Sequence, residues 1–466
     1  MTTFNTVTPI DDTVLLTRER HSDAEINKAL ETASNAFSVW RGWSAEKRID
    51  VLRRAVAAFV NNIDGIAMEI TQQMGRPIAF ARGEVKGFED RALAMLKMAP
   101  GALAPVLPPK LEGFHRSIKR VPLGVIAVLA PWNYPFLTAV NAIVPALAAG
   151  NVVILKHSDQ TPLAAERLND AFEAAGLPDG VFRFLHIDHE QVARMISDKR
   201  IAYVCFTGSV AGGYAVQRAL SSTFTSSGLE LGGKDPAYVR EDADVDHAIK
   251  NIGEGIFFNS GQSCCGIERV YVHKRHFHTL VDGLVGYAET LKLGDPRDPS
   301  TTLGPMVKRS AADYVRSQIA RAKSAGARTL IDARKFDADT GQNAYVAPQI
   351  LVDCDHSMDL MTEETFGPVA GVMAVESDAE ALSLMNDSRY GLTASIWTRD
   401  RGAAEAIGDR LEAGTVFMNR CDYLDPELAW TGVKDSGRGA TLSLLGFDYL
   451  TRPKSYHFRT DILSGF

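Results

Sequence analysis

Hydrophobic spacing divides the chain into a helical opening and two regions of alternating strand and helix. Residues 23–39 and 45–61 carry apolar side chains at helical spacing, and 64–74 and 82–99 continue it. A proline-rich break follows at Pro105, Pro108 and Pro109, and residues 116–121 are polar and extended. The runs VIAVLA (125–130) and NVVILK (151–156) are short, apolar and β-branched, as strands buried on both faces are. A helix-like stretch separates them. Next comes a helix with Thr161 as N-cap, Pro162 in its first turn and Gly176 past its end, then VFRFLHI, a further helix and AYVCF. Repeated strand–helix–strand units make a parallel sheet with a nucleotide site at its carboxyl edge. A second α/β region begins near Gly232, where helical 244–257 and 276–292 alternate with RVYVHK and GPVAGVMAV. The tail beyond Thr451 is too short for a domain and reads as an arm or strand packed on a neighbouring unit.

Composition narrows the class of protein. With 466 residues, two or three packed units are expected. Hydrophobic residues at 45% and charged residues at 23% are the balance of a soluble globular protein. A formal charge of −7 and a pI near 5.9 leave no basic footprint for nucleic acid or anionic lipid. The most apolar stretch, residues 138–155, contains Asn141, Pro145, Gly150 and Asn151, so it reads as a buried helix running into a buried strand, with no membrane span. The opening MTTFNTVTPIDD lacks the apolar core of a signal peptide, and a cytoplasmic location is expected. Five cysteines (205, 264, 265, 354 and 421), odd in number and without C-x-x-C spacing, argue against a disulfide framework or a zinc site, and no metal is expected.

Four segments carry candidate chemistry. Cys264 lies in NSGQSCCGIE, after a helix, and its neighbours Gly261, Gln262 and Ser263 let backbone approach a reacting group. A thiolate is the species such chemistry needs, whereas Cys205, Cys354 and Cys421 read as small buried hydrophobes. Glu230 sits in LELGGKDP ahead of a strand, where it is either a paired, structural carboxylate or a reactive one. Asn133, in PWNYP, ends the strand VIAVLA at the edge where a ligand belongs, yet is equally a turn asparagine. Ser209, in FTGSVAGG, caps the next helix in a position to face phosphate. Each signal alone is weak.

Together, PWNYP, LKHSDQTP, FTGS, LELGGK, GQSCC, EETFGP, NDSRYGL and GTVFMN, in this order, resemble the aldehyde dehydrogenase superfamily along nearly the whole chain. The resemblance implies an α/β fold with a Rossmann-like NAD-binding domain (1–103 and 123–232), a catalytic domain (233–450) and a small β extension for oligomerisation (104–122 and 451–466). The N-terminal strand segment looks shortened, since Thr8-Pro-Ile-Asp follows almost at once, which puts the usual first strand in question. The implied activity is NAD(P)-dependent oxidation of an aldehyde to a carboxylic acid, with Cys264 as nucleophile, Asn133 as oxyanion donor and Glu230 as general base. Cofactor roles fall to Trp132, Lys156, Asp159, Gly208, Ser209, Gly213, Leu231, Glu364 and Phe366. NAD is expected over NADP, because a carboxylate at Asp159 pairs with ribose hydroxyls and repels a 2′-phosphate. A homodimer or homotetramer is implied. Rival readings are a CoA-acylating semialdehyde dehydrogenase, whose members lack a glutamate at the position of Glu230, and a catalytically silent structural or binding member of the family.

By motif the substrate pocket comprises Tyr134, Thr138, Asn141, Ser263, Cys265 and Trp430. The aromatic walls suit a medium-sized apolar or aromatic aldehyde. Succinic semialdehyde dehydrogenases place an arginine at the position of Asn141 to hold the distal carboxylate, so aromatic and medium-chain aldehydes are expected to outperform succinic semialdehyde. Arg420 is the alternative anchor, and Asp422 and Asp425 leave an aminoaldehyde open.

Overall fold

The protein is described by a computed structural model for residues 2–462. Its first strand is present after all: Thr3–Val7 pairs antiparallel with Val14–Glu19. Residues of Thr3–Val7 alternate between exposed and buried, and Pro9 falls in the connecting turn, so it interrupts neither strand.

Four helices follow. Ser22 and Glu25 form a capping box ahead of Asp23–Trp40, and Ser44 caps Ala45–Val60. Ile63–Met74 ends at Gly75, and Ile78–Ala102 runs beneath the first sheet's connecting helix, Pro135–Ala149. The indole of Trp40 and the guanidinium of Arg48 donate to the carbonyls of Leu147 and Ala148, which ties the helical opening to that element.

The first sheet has the order Gly437–Arg438, Ser226–Glu230, Ile201–Thr207, Val125–Ala130, Val152–His157, Phe182–Phe184. All pairs are parallel except the one made by Gly437–Arg438. Every residue of Val125–Ala130 is buried, as an apolar central strand requires. The next two strands in sequence, Val152–His157 and Phe182–Phe184, lie on one side of it and the following two, Ile201–Thr207 and Ser226–Glu230, on the other, so a crevice opens at the carboxyl ends where the strand order reverses. Thr161 precedes the helix Pro162–Ala174 as expected, but its hydroxyl meets His157 Nδ1 at 3.1 Å and makes no cap hydrogen bond.

The second sheet runs Arg328–Thr329, Gln349–Val352, Val369–Val375, Ile267–His273, Asp235–Val239, Thr393–Trp397, Thr415–Met418, parallel throughout except at Arg328–Thr329. Val245–Phe257 and Phe277–Glu289 cover one face, and Arg309–Ser324, Asp378–Asn386 and Arg401–Gly408 cover the other. Residues 430–450, placed with this region from sequence, return to the first: Trp430, Leu442, Phe447 and Leu450 are buried in its core. The tail strand Thr451–Arg459 pairs antiparallel with Phe114–Pro122 as an outlying two-stranded ribbon. Residues 463–466 of the expected extension lie outside the described residues. No helix among the described residues is long and apolar enough to cross a membrane.

Candidate active site

Cys264 is set by a strained turn. After Val245–Phe257 the backbone enters the left-handed region at Asn259 (φ 53°), Ser260 (φ 57°) and Gly261 (φ 70°). A Cβ on Gly261 would lie 2.1 Å from the Gly367 carbonyl oxygen, so only glycine passes there. Gly233 also runs close to the backbone of Cys264, since a Cβ on it would lie 2.6 Å from the Cys264 carbonyl oxygen. Thus the GQSCC and LELGGK segments, far apart in sequence, are locked together.

Asn133 reaches the same place from the end of Val125–Ala130. Its side-chain amide donates to the Gln262 carbonyl at 3.2 Å, two residues before Cys264. A buried network holds it from behind. Arg76 donates to the Asn133 carbonyl (2.8 Å) and to Asn259 Oδ1 (3.1 Å), and its guanidinium pairs with buried Glu84. Glu84 in turn accepts from the backbone N–H groups of Phe136 and Leu137. The Cys264 segment is therefore held in place by side chains that a motif search does not mark.

Glu230 ends the strand Ser226–Glu230 and lines the same cavity as Cys264, a space of about 450 Å³. Burial pushes its carboxyl above the usual range, against hydrogen bonds from Thr441 (2.5 Å) and Thr207 (3.1 Å) and the charge of Arg91. All six expected pocket residues (Tyr134, Thr138, Asn141, Ser263, Cys265 and Trp430) line this cavity. Tyr134 stacks under the Arg76 guanidinium, 4.3 Å from the ring centroid. Ser263 and Cys265 are both committed to Asp422, which accepts from their Oγ and Sγ at 2.8 and 3.0 Å.

Sequence reading missed Arg91. Its guanidinium lines the cavity, donates to the Leu137 carbonyl at 2.6 Å and lies 3.5 Å from Asn141 Oδ1. Burial lowers its pKa, and no ion pair forms on it among the described residues. The signal was present: Glu84, Phe88, Arg91 and Met95 share the spacing of the buried face of Ile78–Ala102. Arg420 lines the same cavity, with its guanidinium stacked 3.3 Å over the Tyr423 ring.

On the other side of the Cys264 segment lies a groove of about 320 Å³, lined by Trp132, Ser209, Gln262, Glu364 and Phe366. Trp132 and Phe366 meet edge to face at 5.8 Å. Glu364 accepts from the Gly233 N–H, and burial pushes its carboxyl up to about 8. The 364–366 segment is held by the buried pair Lys234–Glu268: Glu268 accepts from the N–H groups of Thr365 and Phe366. Neither Lys234 nor Glu268 was singled out from sequence. Ser209 caps Val210–Leu220 by accepting from the Gly212 N–H, the Gly208 N–H donates to the Glu230 carbonyl, and Gly213 packs on Leu231. Farther along the sheet edge, Lys156 and Asp159 are ion-paired at 3.1 Å.

Cys264 and the buried carboxyl of Glu230 share one cavity, and a second groove adjoins the same segment. The family model for the aldehyde dehydrogenase family matches residues 1–456. The chain belongs to the aldehyde dehydrogenase family. It is 35% identical over 429 residues to the succinate semialdehyde dehydrogenase [NAD(P)+] Sad of Escherichia coli (strain K12), covering 91% of this chain and 90% of that one. It is 34% identical over 446 residues to a succinate-semialdehyde dehydrogenase [NADP(+)] of Mycobacterium avium (strain 104), covering 95% and 93%. Among solved structures, the succinic semialdehyde dehydrogenase of Streptococcus pyogenes in complex with NADP+ superposes with a TM-score of 0.92 at 30% identity, covering 98% of this chain and 100% of that one. An aldehyde dehydrogenase from Brucella melitensis biovar abortus 2308 reaches 0.94 at 29% identity, covering 99% and 94%. The protein is an NAD(P)-dependent oxidoreductase acting on aldehydes.

Proposed function

We propose that this aldehyde dehydrogenase makes a free carboxylic acid through a thioester on Cys264. The observation that carries the reading is the arrangement of Cys264, the Asn133 amide docked on Gln262, and Glu230 in the wall of the same cavity. The Cys264 thiolate adds to the aldehyde carbon. The Asn133 amide and the Cys264 backbone N–H take the resulting oxyanion, a contribution of about 3 kcal/mol per preorganised donor. When bound, the nicotinamide cofactor accepts the hydride that leaves this carbon. Glu230 then removes a proton from the water that attacks the thioester, so the acid departs and the thiolate is restored. The raised affinity of Glu230 for a proton suits a base working near neutrality.

Residues fitting the cofactor are Trp132, Glu364 and Phe366 at the nicotinamide end, Gly208, Ser209, Gly213 and Leu231 along its length, and Lys156 and Asp159 at the adenosine ribose. The Asp159 carboxylate supports a preference for NAD+ over NADP+. Residues 1–103 and 123–232 form the cofactor domain in this reading, 233–450 the catalytic domain with its last turns packed on the first core, and the exposed ribbon Phe114–Pro122/Thr451–Arg459 the surface for self-association into a dimer or tetramer.

For the substrate, the relatives' names and Arg91 together favour an aldehyde with a distal carboxylate. Asn141 is neutral, but Arg91 brings a guanidinium to its side chain from another helix. The test is to supply purified protein with an aldehyde panel and NAD+, with and without CoA. Free acid and reduced cofactor are expected in both cases. Acyl-CoA as the main product would overturn the hydrolytic role of Glu230.

A further inference from the structure

Asp159 is not a lone carboxylate. Lys156 Nζ lies 3.1 Å from its Oδ1, and Arg20 Nη2 lies 2.7 Å from its Oδ2. Arg20 comes from the residue just after the N-terminal hairpin, with its guanidinium 4.8 Å over the Phe4 ring. The hairpin is itself fastened here: Thr6 Oγ1 donates to the Asp159 carbonyl, and Gln160 Nε2 donates to the Val7 carbonyl. Two cations therefore face one acid, and the cluster carries a net positive charge. Arg20 also has an unmet donor, because its Nη1 is buried without a hydrogen-bond partner. A ribose hydroxyl offers that donor only a neutral acceptor. A phosphate oxygen satisfies it, and a guanidinium offers the paired N–H groups that phosphate accepts.

We propose that Arg20 is a cofactor-selecting residue, screening Asp159 and donating to the 2′-phosphate of NADP+, so that this enzyme binds both cofactors. The inference rests on the reading that Lys156 and Asp159 hold the adenosine ribose. It assigns the end of the N-terminal hairpin a ligand-binding duty: Arg20, the residue that follows its second strand, is the only one of the three charged groups that lies outside the sheet-edge motif LKHSDQTP. Arg20 and Asp159 oppose each other. The acid favours the ribose hydroxyls of NAD+, and the guanidinium offsets the repulsion that the acid exerts on a 2′-phosphate.

Calorimetric titration of the full-length protein with NAD+, NADP+ and adenosine 2′,5′-bisphosphate tests this without turnover. In Arg20→Met, NADP+ and the bisphosphate are expected to weaken by about tenfold, and NAD+ by much less. Equal weakening of all three, or none, overturns the assignment. Asp159→Asn, which keeps Arg20, covers the case in which the first variant disturbs the hairpin. NADP+ should then tighten relative to NAD+ and become more sensitive to salt. An unchanged ratio overturns the proposal. Lys156→Ala separates the two levels: if it binds both dinucleotides as the native protein does, the ribose lies elsewhere and the parent reading fails with it.

Discussion

Asp422 Oδ1 accepts hydrogen bonds from both Ser263 Oγ and Cys265 Sγ, at 2.8 and 3.0 Å. The second of the adjacent cysteines is thereby engaged. The adjoining Cys264 thiol, burial and the nearby Asp422 charge all raise its thiol well above the usual range. Cys264→Ser is therefore expected to abolish reduced-cofactor formation while dinucleotide binding persists. Cys265→Ser should mainly alter substrate preference. Steady-state kinetics beside calorimetry separates them, and ordinary turnover in Cys264→Ser would remove the central assignment.

Glu230 should reveal itself by splitting the two half-reactions. In Glu230→Gln one of the Thr207 and Thr441 hydroxyls keeps an oxygen acceptor and the other can turn to accept from the new amide N–H, so the fold is expected to hold. Water attack slows and the acyl-enzyme accumulates, visible as a mass increment on the intact protein. In the native enzyme, protonating Glu230 silences the base. Because burial raises its pKa, the acid limb of kcat should lie above the ordinary carboxylate range and vanish in the variant. An undiminished rate with no adduct would move the role to another group.

The sequence pattern revealed much of this fold for a physical reason. Strands such as VIAVLA are buried on both faces, so their composition alone marks them, and the motif residues sit on the turns that end them. Arg91, Arg76 and Glu84 were obscured because a charged residue in a helix is ordinarily solvated. Only their spacing on the buried face of Ile78–Ala102 and the turn before it marks them as interior. Asp422 was visible as an acid but not as a partner of Ser263 and Cys265, a contact made across more than 150 residues of chain. Thr8-Pro-Ile-Asp makes the N-terminal strand segment look shortened, although a proline in the turn leaves the ladder of Thr3–Val7 intact.

His157 supplies a stability test independent of catalysis. It is buried, its Nε2 meets the Pro135 carbonyl at 2.9 Å, and its Nδ1 accepts from the Ser158 N–H at 2.9 Å. The neutral ring satisfies both contacts, whereas a second ring proton would face a donor. Burial accordingly lowers its pKa from 6.5 to about 4. Since the folded value is the lower one, the unfolded chain binds more protons between these limits. Stability is then full above the unfolded pKa and falls as pH drops toward the folded one, by about 2 kcal/mol between pH 7 and 5. Denaturant melts of the native protein and His157→Gln across this window should show a shallower pH dependence in the variant. Parallel curves would assign the acid loss to other groups.

Substrate choice turns on whether Arg91 or the neutral Asn141 decides the pocket's far end. Asn141 and the aromatic walls Tyr134 and Trp430 argue for apolar aldehydes. Arg91 is a guanidinium in the same cavity that feels the charges of Glu84 and Glu230 but makes no direct ion pair among the described residues, and a ligand carboxylate would supply a direct one. A cation held in that state is costly unless something compensates it, and the Leu137 carbonyl compensates one N–H group only. Succinic semialdehyde is therefore expected to exceed hexanal and benzaldehyde in kcat/KM. Arg91→Met should lower its value by about 10- to 100-fold, the scale of a charge-assisted hydrogen bond, and lower the apolar aldehydes far less. Arg420→Ala tests the other guanidinium that lines the cavity, and because that group is already stacked on Tyr423 the ratios are expected to stay as in the native enzyme. If hexanal and benzaldehyde lead in the native enzyme and Arg91→Met leaves the ratios unchanged, the pocket is read by its aromatic walls and Arg91 only braces Leu137.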